Sequence, residues 1–199
     1  MKKLLTIAAL LLALICHAED YNYGGWNFVE VNHNFGGKFN LTGYFETDNL
    51  GYRRFDCLYF RVLAGYKLLP WLKIGVNYVP VCEAGGEWLH YGEAELVGTL
   101  RSGNFKVSIR ERYRHGFTND KNELRSRLKV IYSFPESRFG VYLAPEVFTW
   151  GSEWLKARHY AGGTFDVLPW MQLDAYYMYY AFKSSPAEHV FGFGLNFDI

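Results

Sequence analysis

The sequence predicts an all-β fold, a transmembrane antiparallel up-and-down β-barrel of about 10–12 strands, on three observations. Apolar and polar residues alternate strictly in segment after segment, turn residues separate the segments, and aromatic residues gather where segments meet turns. Most segments exceed the ~5–6 residues usual in a soluble strand and match the ~9–11 that a tilted membrane-crossing strand needs. The 199 residues make one domain, 21% charged residues argue against disorder, and the unusual figure is 19% aromatic, with 16 Tyr, 16 Phe and 6 Trp.

Residues 1–18 read as a secretory signal peptide: Met1-Lys2-Lys3, an apolar run from Leu4 to Cys16 too short to span a bilayer, then Cys16-His17-Ala18 with small residues placed for cleavage after Ala18. A lipidated Cys16 would need a small residue before it, and Ile15 stands there. Residues 19–199 are then the barrel, with 19 Lys and Arg (21 less Lys2 and Lys3) against 20 Asp and Glu. A balance so near neutral, with no basic run, speaks against nucleic-acid binding.

Eleven segments follow, near 24–35, 37–47, 54–66, 71–82, 87–101, 105–115, 122–132, 139–149, 155–166, 171–182 and 188–199. In the third, Leu58, Phe60, Val62, Ala64 and Tyr66 share one face while Tyr59 and Arg61 share the other. In the sixth and seventh, Phe105, Val107, Ile109, Leu124, Leu128 and Val130 oppose Lys106, Arg110, Arg125, Arg127 and Lys129. In the last, Phe191, Phe193, Leu195, Phe197 and Ile199 alternate with Gly192, Gly194, Asn196 and Asp198. Tight turns are expected at Gly36-Gly37, Leu69-Pro70, Ser102-Gly103-Asn104, Phe134-Pro135-Glu136 and Leu168-Pro169, with longer polar loops such as 47–53 and 116–122. Bacterial barrels carry even strand numbers, so eleven implies a strand missed or wrongly split within 19–47. Pro80 and Pro145 inside strand patterns imply bulges.

Trp71 and Trp170 follow the repeated Leu-Pro turn, and Trp88, Trp150 and Trp154, with Tyr113, mark the opposite rim. Such residues form two girdles at membrane interfaces, where an indole ring is in apolar surroundings and its N–H stays wet. A soluble β-sandwich with an aromatic core is the competing architecture.

With the aromatic faces outward, the alternate residues fill the lumen as a charge band: Glu93, Glu95, Arg110, Arg112, Arg114, Arg125, Arg127, Glu146 and Arg158. Hairpin symmetry about Gly103 sets Glu95 opposite Arg110 or Arg112 and Glu93 opposite Arg112 or Arg114. About the loop near Thr118-Asn119 it sets Arg112 against Arg127 and Arg114 against Arg125, a repulsion that something must neutralise. Glu146 meets Arg125 or Arg127 on one side and Arg158 on the other. Three functions fit the band: structural ion pairs that fill the lumen, a narrow pore whose surplus arginines attract anions, or a lipid- or lipopolysaccharide-modifying enzyme. The enzyme would use Ser126 and His115, placed opposite Tyr113 and Leu124 near the outer rim, but no nucleophile-elbow motif surrounds Ser126. His33, His90, His159 and His189 lack ligand spacing, so no metal and no cofactor are expected. Cys57 and Cys82 are candidates for a disulfide, being equidistant from the Leu69-Pro70 turn, although alternation puts them on opposite faces unless Pro80 bulges.

The terminal Gly194-Leu195-Asn196-Phe197-Asp198-Ile199 resembles the signal by which outer-membrane strands engage the barrel-assembly machinery. The mature chain also resembles a family of bacterial outer-membrane barrels known only as a domain of unknown function. Trp26, Arg110-Glu111-Arg112, Arg125-Ser126-Arg127, Pro145-Glu146 and His189-Val190-Phe191-Gly192 carry that resemblance. It implies a barrel in the outer membrane of a Gram-negative bacterium, surrounded by outer-membrane lipids and lipopolysaccharide, and implies no activity.

Overall fold

In the computed structural model, which describes residues 22–50 and 54–199, the alternating segments form strands and the described residues contain no helix. The strands are β1 (Asn22–Phe35), β2 (Phe39–Leu50), β3 (Arg54–Leu69), β4 (Leu72–Glu83), β5 (Trp88–Ser102), β6 (Phe105–Gly116), β7 (Asn122–Ser133), β8 (Phe139–Trp150), β9 (Glu153–Leu168), β10 (Met171–Phe182) and β11 (Glu188–Asp198). The segment expected to be cleaved after Ala18 lies outside the described residues, as does the loop at 51–53.

Each strand pairs with its neighbours in the chain, and β1 closes on β11 to make a complete barrel. Successive pairs are antiparallel, but the closing pair is parallel, with Asn22 opposite Glu188 and Asn32 opposite Asp198. The barrel is thus antiparallel and up-and-down, as expected, in every pair but this one. Directions that alternate over eleven strands leave the first and last pointing the same way, so one seam has to be parallel. Among the described residues of that stretch, 22–47, both β1 and β2 are there, joined by a turn at 36–38, and neither is wrongly split.

The two prolines are accommodated without bulges. Across Pro80 the pairing runs from Tyr59 opposite Val81 to Val62 opposite Tyr78 in one register, and across Pro145 from Arg127 opposite Glu146 to Val130 opposite Leu143. The missing N–H leaves a gap in one ladder, while Pro80 still pairs with His90 and Pro145 with His159 on the other side. The register shifts fall elsewhere, at Asp48/Asn49, Lys67/Leu69, Phe148/Thr149 and Met171/Gln172.

Parity sorts the side chains. The outward face between the rims is aliphatic and aromatic, with Val62, Val76, Leu96, Leu100, Ile109 and Leu143 all more than half exposed. Aromatic residues crowd both rims. Near the short turns Trp170 stacks on Phe197, Phe134 on Phe139, and Phe105 meets Tyr132, with Trp71 beside them. Toward the opposite rim Trp88 stacks on Phe60, Trp150 meets Tyr113, and Trp154 is exposed.

The core lies inside the barrel. Trp26, Tyr142, Ala144, Tyr176, Met178, Tyr180 and Val190 form one apolar cluster, from β8, β10, β11 and β1, while Val79, Val81, Leu89 and Tyr91 form a smaller one on β4 and β5. Glycines let the rings of the first cluster lie flat on the wall. Tyr142 covers its cross-strand partner Gly162, Tyr176 covers Gly192, and Phe28 covers Gly194, so a Cβ at any of the three would collide with a ring.

Candidate functional site

Every member of the expected charge band faces the lumen. On the β5–β6 hairpin the register is Glu93 opposite Arg114 and Glu95 opposite Arg112. Arg112 grips Glu95 through Nε (3.0 Å) and Nη2 (2.7 Å) and reaches Glu93 at 3.4 Å. Arg114 donates from Nε to the other oxygen of Glu93 at 2.7 Å and from Nη2 to the Tyr59 hydroxyl. Its guanidinium also lies over the Tyr91 ring, 4.8 Å from the centroid. Glu146, 1% exposed, accepts from Arg110 at 2.6 Å and lies 3.9 Å from Arg158, its cross-strand partner. Arg158 in turn packs between Trp26, Phe148 and Tyr180, each 4.5–4.9 Å away, and so joins the charged arc to the aromatic one.

The β6–β7 pairing departs from the expected one by two residues. Arg112 faces Arg125, Arg110 faces Arg127, and Arg114 faces Glu123. The bond from Gly116 N–H to Lys121 O at 2.8 Å closes the loop symmetrically about Thr118 and Asn119, so partners sum to 237, whereas the expected pairs sum to 239 and stand two residues off that centre. This register supplies the missing neutraliser, because Glu123 comes to lie between Arg125 (2.7 Å), Arg114 (3.5 Å) and Lys156 (3.4 Å). Its signal was its parity with Arg125 and Arg127, hidden because the expected pairs were set two residues off the loop's own centre.

The same register separates the enzyme candidates. Ser126 faces Glu111 and donates to it at 2.6 Å, whereas His115 faces Asn122 and contacts its amide oxygen at 2.8 Å. Four residues of strand, roughly 13 Å at ~3.3 Å per residue, stand between the positions a nucleophile and its base would occupy. The expected pairings of Ser126 with Tyr113 and of His115 with Leu124 are therefore not made.

The candidate disulfide is not made either, and both thiols are free. The shift at Lys67/Leu69 beside the turn sets Cys57 opposite Glu83 and Leu58 opposite Cys82. Cys57 faces inward and donates to Asp48 at 3.3 Å, while Cys82 has outward parity. The irregularity that reconciles alternation with hairpin symmetry sits at the turn rather than at Pro80.

A second set of lumen charges escaped the sequence reading because none of its carboxylates has a charged partner directly across the ladder. Glu30 pairs with Arg61 at 2.9 Å, Tyr44 donates to Glu46, and Tyr142 donates to Asp174 at 2.8 Å. With Asp48, these carboxylates occupy the wall of β10, β1 and β2, opposite the basic wall of β6 and β7. Between the walls lies a chamber of about 360 Å³ lined by residues of both, including Glu46, Asp174, Arg127 and Lys129. Smaller voids lie at each end, one of about 250 Å³ beside Lys38, Lys67 and Lys73, the other of about 260 Å³ beside Asp48, Asp56 and Glu188.

Among the described residues no group of His, Cys, Asp and Glu has the arrangement of a metal site. Chemically, the lumen presents fixed charges and hydrogen-bond donors to whatever enters it. Among curated proteins no relative matches the chain. The family model described as "Protein of unknown function (DUF2490)" matches residues 23–190, nearly the whole closed barrel from β1 into β11, and the chain belongs to that family.

Proposed function

We propose that this chain is an outer-membrane β-barrel of a Gram-negative bacterium, exported with cleavage after Ala18, that acts without catalysis as a narrow, charge-lined passage for small solutes, anions preferred. The observation that carries the reading is the division of charge between the two faces. Along the described strands between the rims, Glu111 is the one Asp, Glu, Lys or Arg with outward parity, while the inward face holds the whole band. That is the inverse of a soluble barrel and the pattern lipid requires. Lipid and lipopolysaccharide would contact the outward face, and β11 would engage the assembly machinery. If β11 ends at the periplasm, the charge band lies in the outer half of the bilayer, because Glu93 and Arg114 are near the rim opposite the short turns.

The passage is narrow because paired side chains and the two apolar clusters occupy most of the lumen. Nine cations line the chamber (Arg61, Arg110, Arg112, Arg114, Arg125, Arg127, Lys129, Lys156 and Arg158) against eight carboxylates that line it or pair with its arginines (Glu30, Glu46, Asp48, Glu93, Glu95, Glu123, Glu146 and Asp174), and all the cations but Arg61 are gathered on β6–β9. That concentration of cations on one wall favours anions. The test is single-channel conductance of the refolded protein in a planar bilayer under a salt gradient. A small, steady, anion-preferring conductance is expected; its absence from demonstrably folded protein would leave the barrel a scaffold.

A further inference from the structure

Most of the basic wall is already spoken for. Arg112 is 3% exposed and held by two carboxylates, Arg114 and Arg125 are held by Glu93 and Glu123, and Arg158 is wedged among rings. Three neighbouring groups are not satisfied in this way. Arg127 has neither a carboxylate within 4 Å nor a hydrogen bond among the described residues, although it faces Arg110 on one side and Glu146 on the other. Glu146 is turned to Arg110 and Arg158 instead. Arg110 spends one Nη on Glu146 and leaves its buried Nε without a partner. Lys129, two residues from Arg127 on the same inward face, touches only the Tyr142 ring, 3.8 Å from its centroid. All three line the chamber.

We infer that Arg110, Arg127 and Lys129 form a binding site for a small oxyanion, the carboxylate or phosphate group of a solute in the chamber. A buried or half-buried cation without a counter-charge is costly, and two guanidiniums opposite each other add repulsion. An oxyanion relieves both at once: it accepts from the open fork of Arg127 and the orphaned Nε of Arg110, with the ammonium of Lys129 beside it. The geometry selects an oxyanion over halide because it presents several donors converging from two strands and not one point charge. The competing carboxylate Asp174 attracts Lys129 but makes no ion pair with it within 4 Å and accepts from the Tyr142 hydroxyl at 2.8 Å. The chamber, at about 360 Å³, admits a ligand of a few heavy atoms and no large one. The inference rests on the reading of the lumen as open to solutes and moves the selective role from the band as a whole to these three residues.

The test is isothermal titration of the folded barrel in nonionic detergent with sodium acetate and, separately, inorganic phosphate, against sodium chloride. Saturable binding of acetate, phosphate or both is expected, with chloride weaker, and the tighter of the two names the group preferred. Arg127→Gln should weaken the binding at least tenfold with little change in thermal stability, since the repulsion by Arg110 that it removes offsets the attraction to Glu146 that it loses, and no ion pair within 4 Å is broken. Lys129→Gln should weaken it severalfold, and Arg101→Gln, at the short-turn rim, should leave it unchanged. No saturable binding to folded wild-type protein would overturn the site, as would binding indifferent to both Arg127→Gln and Lys129→Gln. Binding without conductance would leave the site standing and defeat the passage; conductance that neither saturates with acetate nor changes in Arg127→Gln would do the reverse.

Discussion

Replacing Glu146 with Gln asks how far the lumen band holds the barrel together. Glu146 is almost fully buried, accepts from Arg110 at 2.6 Å, lies 3.9 Å from Arg158 and faces Arg127 in register. The amide keeps an acceptor for Arg110 but deletes the one negative charge among three guanidiniums. Breaking a buried pair by removing one partner costs ~3–5 kcal/mol, and the retained hydrogen bond returns ~1, so a loss of ~2–4 kcal/mol is expected. That is roughly a 30- to 900-fold change in the ratio of folded to unfolded chain. The assay is urea-dependent folding into lipid vesicles, read by tryptophan fluorescence. Glu153→Gln is the internal control, because its 3.2 Å pair with Lys183 is exposed on both sides and such pairs contribute ~0–1 kcal/mol. If the two variants shift the midpoint equally, water screens the lumen band as it screens the rim, and the ion pairs do not hold the wall.

Gly192→Ala places a methyl in the Tyr176 ring and should cost ~1–3 kcal/mol by overpacking. Gly98→Ala, where nothing lies within 4 Å, should stay within ~0.5 kcal/mol, and equal effects in the same urea titration would mean the ring is free to move aside. Thiol titration of purified mature protein, denatured without reductant, should find two free cysteines, since Cys57 faces in and Cys82 has outward parity; none would mean the β3–β4 register differs from that described.

The fold was legible because a strand's side-chain period is two, and a barrel apolar on its outer face and charged within writes that period in nearly every segment. The eleven segments and the ring order Glu, Arg, Arg, Glu, Arg follow from parity alone. What parity does not contain is the phase between strands, which depends on how a loop closes. The Gly116–Lys121 bond closes the β6–β7 loop in a register two residues from the expected pairs, and in that register Glu123 falls in the band. The shift at Lys67/Leu69 carried Cys57 past Cys82. The prolines misled for a related reason: a missing donor implies disruption, yet each ladder keeps register across its gap. Glu30, Glu46, Asp48 and Asp174 were invisible as a wall because nothing local marks residues that become neighbours only when a barrel closes.

Arginine appears to the sequence as one repeated residue, and the structure divides it into two populations by where the carboxylates stand. Arg112 and Arg114 have theirs on the adjacent strand β5, so their guanidiniums are drawn along the wall and away from the axis. Pairing therefore holds open the chamber that long side chains would otherwise fill. On the far side the tyrosines achieve the same end by lying over glycines, Tyr176 on Gly192 and Tyr142 on Gly162. The lumen of an eight-stranded barrel is filled by its side chains, and eleven strands enclose more. In this barrel the extra space survives only because both walls are held flat. Arg127, whose potential partner is taken by Arg110 and Arg158, is the cation the proposed anion would meet, so on that proposal the residues that stabilise the wall and those that would select a solute are separable by single substitutions.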